Sequence, residues 1–423
     1  MKRLATTTGL LALGAVSLHA VYAPELLDRI ETGKWWTIGG SLRGFYDDNW
    51  NYAPDNSSSK KSSWGVEIVP NVGANWLLDQ GSLKASYRNS SRFYEARTGG
   101  GQKPWDFDHD FSLTFDHAFS PRYQLTAKDD FDYGVLPYVT SGVATVSDVR
   151  GTATRLINTG NISLTGEITR ELGFSVAYNN TYVNYYDAGV NSYAASLDRV
   201  EHSIPIDLRW QISPSVVALV GYTYGRVDYT GNGTLFPGSP SNSRDLQSHA
   251  VYLGTDVDFT KEVRGSLRVG GQYAVYQDFG NLDQWTPYVD ASVTLKYFPS
   301  WPVQLGFKHQ LASTDVTSRQ VGGNTPTLNV EASSVYLQAS HQFTAKVSAN
   351  ALVQYQWSSF YSGEYDGMNE DLLMLNFYGA YKLDQFWSLE AGYTFDWRTS
   401  PAGLGVLRTF HRNMVYFGVH AQF

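Results

Sequence analysis

Carboxylates and imidazoles crowd one stretch of the sequence, where Asp106, Asp108, Asp110 and Asp116 run beside His109 and His117. Asp oxygens suit a hard cation such as Ca²⁺, and imidazole is a common metal ligand. The spacing argues against a shared site. On a β-strand, Asp108, Asp110 and Asp116 point to one face and both histidines to the other, so the two sets do not converge. A second acidic run holds Asp129, Asp130 and Asp132 beside Lys128. Alternation sends Lys128, Asp130 and Asp132 inward and leaves Asp129 at the outer rim. Thr98-Gly99-Gly100-Gly101 lacks the GK[ST] ending of a phosphate loop, and neither a nucleophile elbow nor an H-E-x-x-H appears. No catalytic residue, cofactor or metal is therefore assigned, and the chain is expected not to be an enzyme.

The elements that carry these side chains are strands. From Trp387 to Trp397, the residues Trp387, Leu389, Ala391, Tyr393, Phe395 and Trp397 alternate with Ser388, Glu390, Gly392, Thr394 and Asp396. The run from Val347 does the same, with Ala349, Ala351, Val353, Tyr355 and Trp357 on one side. Only a period of two sorts such residues onto faces. The texture continues along the chain in about eighteen segments, with sixteen as the neighbouring even count, from 35–48 to 408–423; they include 196–212, 301–315 and 328–343. Short corners such as Asp79-Gln80-Gly81 and Ser213-Pro214-Ser215 alternate with long polar loops near 48–62, 134–149, 187–195, 230–243 and 316–327. Short turns on one side and longer loops on the other are the layout of outer-membrane barrels. The fold class is thus all-β: a closed, antiparallel, transmembrane up-and-down barrel with N- and C-termini both periplasmic.

Composition agrees. Aromatic residues make up 15% of the 423 residues, yet the mean hydropathy is only −0.30, as expected where apolar positions alternate with polar ones. With no cysteine, disulfides and thiolate metal ligation are excluded, and a formal net charge of −8 argues against a nucleic-acid partner. Lys2 and Arg3 precede an apolar stretch from Leu10 to Val16, which reads as a secretory signal over residues 1–23, cleaved between 20 and 23. Residues 24–34 are then a short periplasmic segment and 35–423 the barrel, located in the bacterial outer membrane and solvated by its lipid. Inward positions mix both signs: Lys84, Arg88, Asp130, Asp207, Arg209, Arg268, Lys308 and Glu390 are expected to line the lumen without strong ion selectivity. The loop after residue 134 is unusually apolar, so Leu136, Tyr138 and Val139 are expected to fold inward and narrow a pore.

Two resemblances follow from particular residues. Val415-Tyr416-Phe417-Gly418-Val419-His420-Ala421-Gln422-Phe423 resembles the terminal signature of bacterial outer-membrane proteins, in which Tyr416, Phe417, Val419 and Phe423 would be read by the barrel-assembly machinery. Gly44-Phe45-Tyr46-Asp47-Asp48-Asn49, Phe107-Asp108-His109-Asp110 and Phe119-Ser120-Pro121-Arg122 resemble the second putative β-barrel porin family, which includes outer-membrane proteins of exopolysaccharide operons. The motifs cover roughly residues 36 to 135. The resemblance implies a conduit for small hydrophilic solutes or for polysaccharide, without cofactor. A homotrimer follows only by analogy with general porins.

Overall fold

The computed structural model describes residues 35–98, 103–135, 153–190, 192–278, 282–296, 302–317, 325–401 and 408–423. The expected signal and N-terminal segment, and the expected constriction residues Leu136, Tyr138 and Val139, lie outside the described residues.

In chain order the strands are β1 (Trp36–Asp47), β2 (Ser63–Leu78), β3 (Gly81–Tyr94), β4 (Trp105–Ser120), β5 (Tyr123–Gly134), β6 (Arg155–Glu167), β7 (Leu172–Tyr185), β8 (Arg199–Ser213), β9 (Val216–Tyr229), β10 (Thr234–Phe236), β11 (Ser239–Pro240), β12 (Leu246–Asp258), β13 (Val263–Tyr276), β14 (Asp283–Lys296), β15 (Pro302–Ala312), β16 (Asn329–Gln342), β17 (Val347–Tyr361), β18 (Asn369–Lys382), β19 (Trp387–Thr399) and β20 (Phe410–Gln422). Among the described residues, eighteen of these form one antiparallel sheet in which each pairs with its chain neighbour; β10 and β11 make a separate small hairpin, and β9 pairs across it with β12. The ring closes where β20 pairs with β1, from Gly39 opposite Gln422 to Asp47 opposite Met414. All eighteen expected segments are present. The start of β1 and the end of β20 share the end of the barrel that carries the short turns.

Side chains sort inside out. Trp64, Leu253 and Trp285 are 67%, 68% and 72% exposed, whereas Arg43, Glu67 and Glu390 are each 1% exposed. A soluble sandwich would bury the first set and solvate the second; a barrel in hydrocarbon does the reverse. Several of the short turns share one device. Thr169, Thr260, Thr344 and Asp384 each accept, on a side-chain oxygen, the backbone N–H groups two and three residues on, which fixes the corner and the register that follows.

Besides the β10–β11 hairpin, which stands in the loop expected near 230–243, two local structures were not expected from the pattern. A one-turn helix, α1 (Tyr193–Leu197), occupies the end of a long loop and the start of the expected strand 196–212, so that β8 begins three residues later. Its N-terminus is held by Asp187, which accepts from the Tyr193 and Ala194 N–H groups at 2.8 and 2.7 Å, and by Ser192, whose hydroxyl oxygen accepts from Ala195 N–H at 3.0 Å. The second concerns β14 and β15, whose pairing stops at Val289 opposite His309 although both strands continue toward the loops.

Inward tyrosines lie against the wall where a neighbouring strand offers glycine. Tyr416 faces Gly392, and a Cβ there would come within 2.2 Å of the Tyr416 Cε1. Replacing Gly392 by Ile is expected to destabilise the barrel by about 1–3 kcal/mol, the range for forced overpacking, measured as a lower urea midpoint for loss of heat-modifiable gel migration; an unchanged midpoint refutes the close-packing account.

Candidate functional site

The inward face is a set of acid–base pairs between near neighbours. Arg43 on β1 donates from Nε to Glu390 at 2.6 Å and from Nη1 to Glu67 at 3.1 Å. Glu67 also accepts from Arg92 at 2.8 Å and from the Ser90 hydroxyl at 2.5 Å. Nearer the loops, Arg412 holds Asp47 at 2.6 Å and Asp396 at 3.2 Å. A buried guanidinium with its planar fork filled on both sides is what makes such a charge tolerable away from bulk water.

Most of the residues expected to line the lumen have partners on nearby strands. Arg88 pairs with Asp110 at 3.5 Å, Asp130 with Lys128 at 2.7 Å, and Asp207 accepts from the Tyr252 hydroxyl at 2.7 Å. Arg209 and Arg268 share Asp256 at 2.9 and 3.3 Å. Lys84 stands opposite Thr114 in the β3–β4 register, and Lys308 opposite Asp290 in the β14–β15 register. The signs alternate around the wall and largely cancel. Of the C-terminal residues, Tyr416 turns inward under Arg43, 4.8 Å from its ring centre, while Phe417 is exposed outward and Phe423 stacks on Phe386 at 5.5 Å.

Access differs between the two ends. On β4, for example, inward Asp106 and Asp108 near the loops are buried, whereas Asp110, Asp116 and the inward residues toward the turn keep partial exposure; β5, β12 and β13 grade the same way. Part of the cause is a fold in the wall. Beyond the point where β14 and β15 separate, three residues from the outer side of β15–β17 meet residues on the inner side of β13–β14. His309 lies 3.5 Å from the Thr286 hydroxyl, Glu331 accepts from Gln284 at 3.0 Å, and Tyr361 stacks on Tyr276 with centroids 6.2 Å apart. The loop-side half of β15–β17 has slipped beneath its neighbours, so Val330 and Ala332 are fully buried and Ser333 and Ser334 nearly so.

Described residues at the two ends of the β15–β16 connection are then held from two directions. Arg244, fully buried between β11 and β12, donates to the carbonyls of Ser196 at 2.9 Å, Thr314 at 2.7 Å and Leu328 at 3.2 Å, with its guanidinium 4.6 Å from the centre of the Tyr229 ring. From the far side, Arg408 grips Asp315 with two bonds of 2.5 and 2.9 Å and Glu370 with two of 3.0 and 3.3 Å. Arg244 and Arg408 thus tie together described residues of the β7–β8, β9–β12, β15–β16 and β19–β20 connections. Burial pushes the Asp315 carboxyl up, but Arg408 and Arg398 outweigh it and hold it below its ordinary value. Asp198, which accepts the Tyr185 N–H at 2.6 Å, goes the other way: burial, with Asp187 nearby, raises it to about 6.

Sequence reasoning missed Arg244, Asp315 and Arg408, because a lone charge in a polar loop looks the same whether it is solvated or clamped. The expectation that the two histidines and the aspartates of β4 stay apart agrees with the geometry: His109 faces outward against Tyr87, and Asp108 and Asp110 face inward. Among the described residues no group of three or more His, Cys, Asp or Glu side chains is placed to hold a metal ion.

Three outcomes follow. Arg43→Ala leaves Glu67 and Glu390 without their shared partner and is expected to cost about 3–5 kcal/mol in urea unfolding, as for other broken buried pairs; replacing all three residues by Met, Gln and Gln should recover most of that. For pH, the raised Asp198 makes the folded chain bind its proton more tightly, so its stabilising contribution is complete below the ordinary 3.8 and is lost as pH rises through about 6. Limited proteolysis of the loop containing α1 should accelerate across that window and lose the dependence in Asp198→Asn. The Asp315–Arg408 clamp has the opposite sign and weakens only in acid, below the usual carboxylate range.

The sequence profile of the family described as "Putative beta-barrel porin 2" matches residues 32–423. Among solved structures, the chain is similar to OccAB4 of Acinetobacter baumannii, with 12% identity over 93% of this chain and 100% of that one and a TM-score of 0.44. It is also similar to the outer membrane protein opdK from Pseudomonas aeruginosa (8% identity, 92% and 99% covered, TM-score 0.46) and to the FrpB iron transporter from Neisseria meningitidis in its F5-1 apoprotein form (11% identity, 92% and 81% covered, TM-score 0.45). No curated protein sequence matches.

Proposed function

Since the chain belongs to the family described as "Putative beta-barrel porin 2" and is a porin-like barrel of the bacterial outer membrane, we propose that it is a channel for passive diffusion of small hydrophilic solutes. The observation that carries this reading is the inward face: charged and polar groups from all around an eighteen-strand ring, paired with alternating sign and partly exposed over the turn-side half. Barrels of 16–18 strands leave an aqueous lumen unless something fills it. Paired charges hold water without imposing a strong net field, which suits neutral or mixed solutes. The long loops then face outward and the chain ends lie in the periplasm, as in single-chain barrels of this kind.

A second reading is favoured by the clamped mouth. A conduit or scaffold for exopolysaccharide export would keep its outer opening shut until periplasmic partners engage, and the Arg244 and Arg408 clamps are suited to that. Planar-bilayer recording separates the two. A diffusion channel gives stable open steps in the wild type, and Arg244→Ala together with Arg408→Ala should raise the step size by releasing the loops. A wild type that stays closed, and conducts only when both clamps are removed, rejects passive diffusion in favour of the gated conduit.

A further inference from the structure

The outer wall is not uniform. From β13 round to β2 its exposed residues are mostly those lipid asks for, among them Leu267, Val293, Leu305, Leu337, Phe377 and Val415, with the hydrogen-bonded pairs Tyr273–Asp283 and Tyr393–Asn413 between them. From β3 to β8 the wall carries hydrogen-bonding side chains well inside the band. Asp129 points outward from β5 into a groove of about 540 Å³ lined by Tyr87, His109, Phe111, Phe131 and Tyr133, and it accepts from the Asn158 amide on β6 at 2.9 Å. It lies six residues above the turn-side end of its strand at Tyr123, roughly 15 Å up at the rise of a tilted strand. That is within the hydrocarbon, beyond the reach of a lipid head group. An ionisable side chain at such a depth is costly and calls for cover by another protein surface.

The same Tyr–Asn–His constellation stands once on each side of Asp129; a third Tyr–His pair, Tyr222–His249, follows on β9 and β12 with Tyr224 where the other two have Asn. On β3 and β4, the Tyr87 hydroxyl lies 2.8 Å from His109 Nδ1, Asn89 donates to the Asp108 carbonyl at 3.0 Å, and the two rings stack with centroids 6.1 Å apart. On β7 and β8, the Tyr178 hydroxyl lies 2.8 Å from His202 Nδ1, Asn180 donates to the Glu201 carbonyl at 3.2 Å, and the ring centroids are 6.0 Å apart. Tyr87 and Tyr178 each stand six residues from the turn-side end of their strands, at Gly81 and Leu172, the same depth as Asp129. Two matching clusters at equal depth about a central donor–acceptor pair form a self-complementary surface, as a two-fold contact requires.

We propose that a second copy of this chain docks on the β3–β8 wall about a two-fold axis parallel to the membrane normal, passing in front of Asp129 and Asn158. Each copy then sets its Tyr87–Asn89–His109 cluster against the partner copy's Tyr178–Asn180–His202 cluster and removes both Asp129 grooves from lipid. Six strands across the hydrophobic band offer on the order of 700 Å², comparable to the ~800 Å² per partner of a standard stable interface.

The absence of cysteine makes the test direct. Gly160 lies opposite Asp129 in register, and an added Cβ there would meet only the Asp129 Oδ1, at 3.7 Å, so Gly160→Cys is tolerated. Oxidation of intact outer membranes carrying Gly160→Cys should give a reductant-sensitive band at twice the monomer mass, while Leu337→Cys on the opposite wall stays monomeric. Adding Asp129→Leu to Gly160→Cys should cut the cross-link yield about tenfold, equivalent to ~1.4 kcal/mol in association, with heat-modifiable migration showing that the barrel still folds. No dimer from Gly160→Cys, equal dimer from Leu337→Cys, or a cross-link of another mass overturns the proposal.

Discussion

A β-strand presents a row of N–H and C=O groups along each edge, and hydrocarbon offers them nothing. An open edge in the bilayer costs several kcal/mol for each unsatisfied group, so the ribbon has to meet itself. Here it does so between β20 and β1, in register from Gly39 with Gln422 to Asp47 with Met414. That closure brings Arg43, Glu67 and Glu390 together although they lie 24 and 347 residues apart in sequence, and it makes a lumen out of what would otherwise be a polar sheet face. The paired interior, the loops gathered at one end and the division of the outer wall into apolar and polar arcs all presuppose it.

Arginine is the residue that adapts this closed wall to different tasks. In the lumen its fork satisfies carboxylates on neighbouring strands, so that charge is retained while field is cancelled. At the mouth the same fork serves backbone carbonyls in Arg244 and carboxylates in Arg408. A lysine at either place would offer a point charge without the planar spread of donors that joins separate loops.

The alternation that reveals a barrel is a local signal, which is why the strands were readable to within a few residues over most of the chain. It holds at Trp387–Trp397 because each residue there meets only lipid or only the lumen. It fails to warn of the inward fold at β15–β17 because Asn329 to Ser334 keep their alternation after both faces are buried. The only hint is the small size of Ala332, Ser333 and Ser334, which lets another layer lie close. The helix α1 was hidden for a different reason: five residues are too few to show a period of 3.6, and its capping by Asp187 and Ser192 looks like ordinary loop polarity. Asp129 was placed on the outer side by parity alone, but its groove depends on what lies opposite it on β4 and β6, which parity does not supply.

Because β15–β17 slide beneath β13–β14 only on the loop side, the perimeter of the cylinder is not constant along its axis. Eighteen strands measure the girth at the turns, while at the mouth several of them overlap and enclose less space. Among the described residues the cross-section therefore narrows toward the loops, by an amount set by how far one sheet segment underlaps another rather than by strand number. On the diffusion reading proposed above, a solute entering from the turn side would meet the wider part of the wall first.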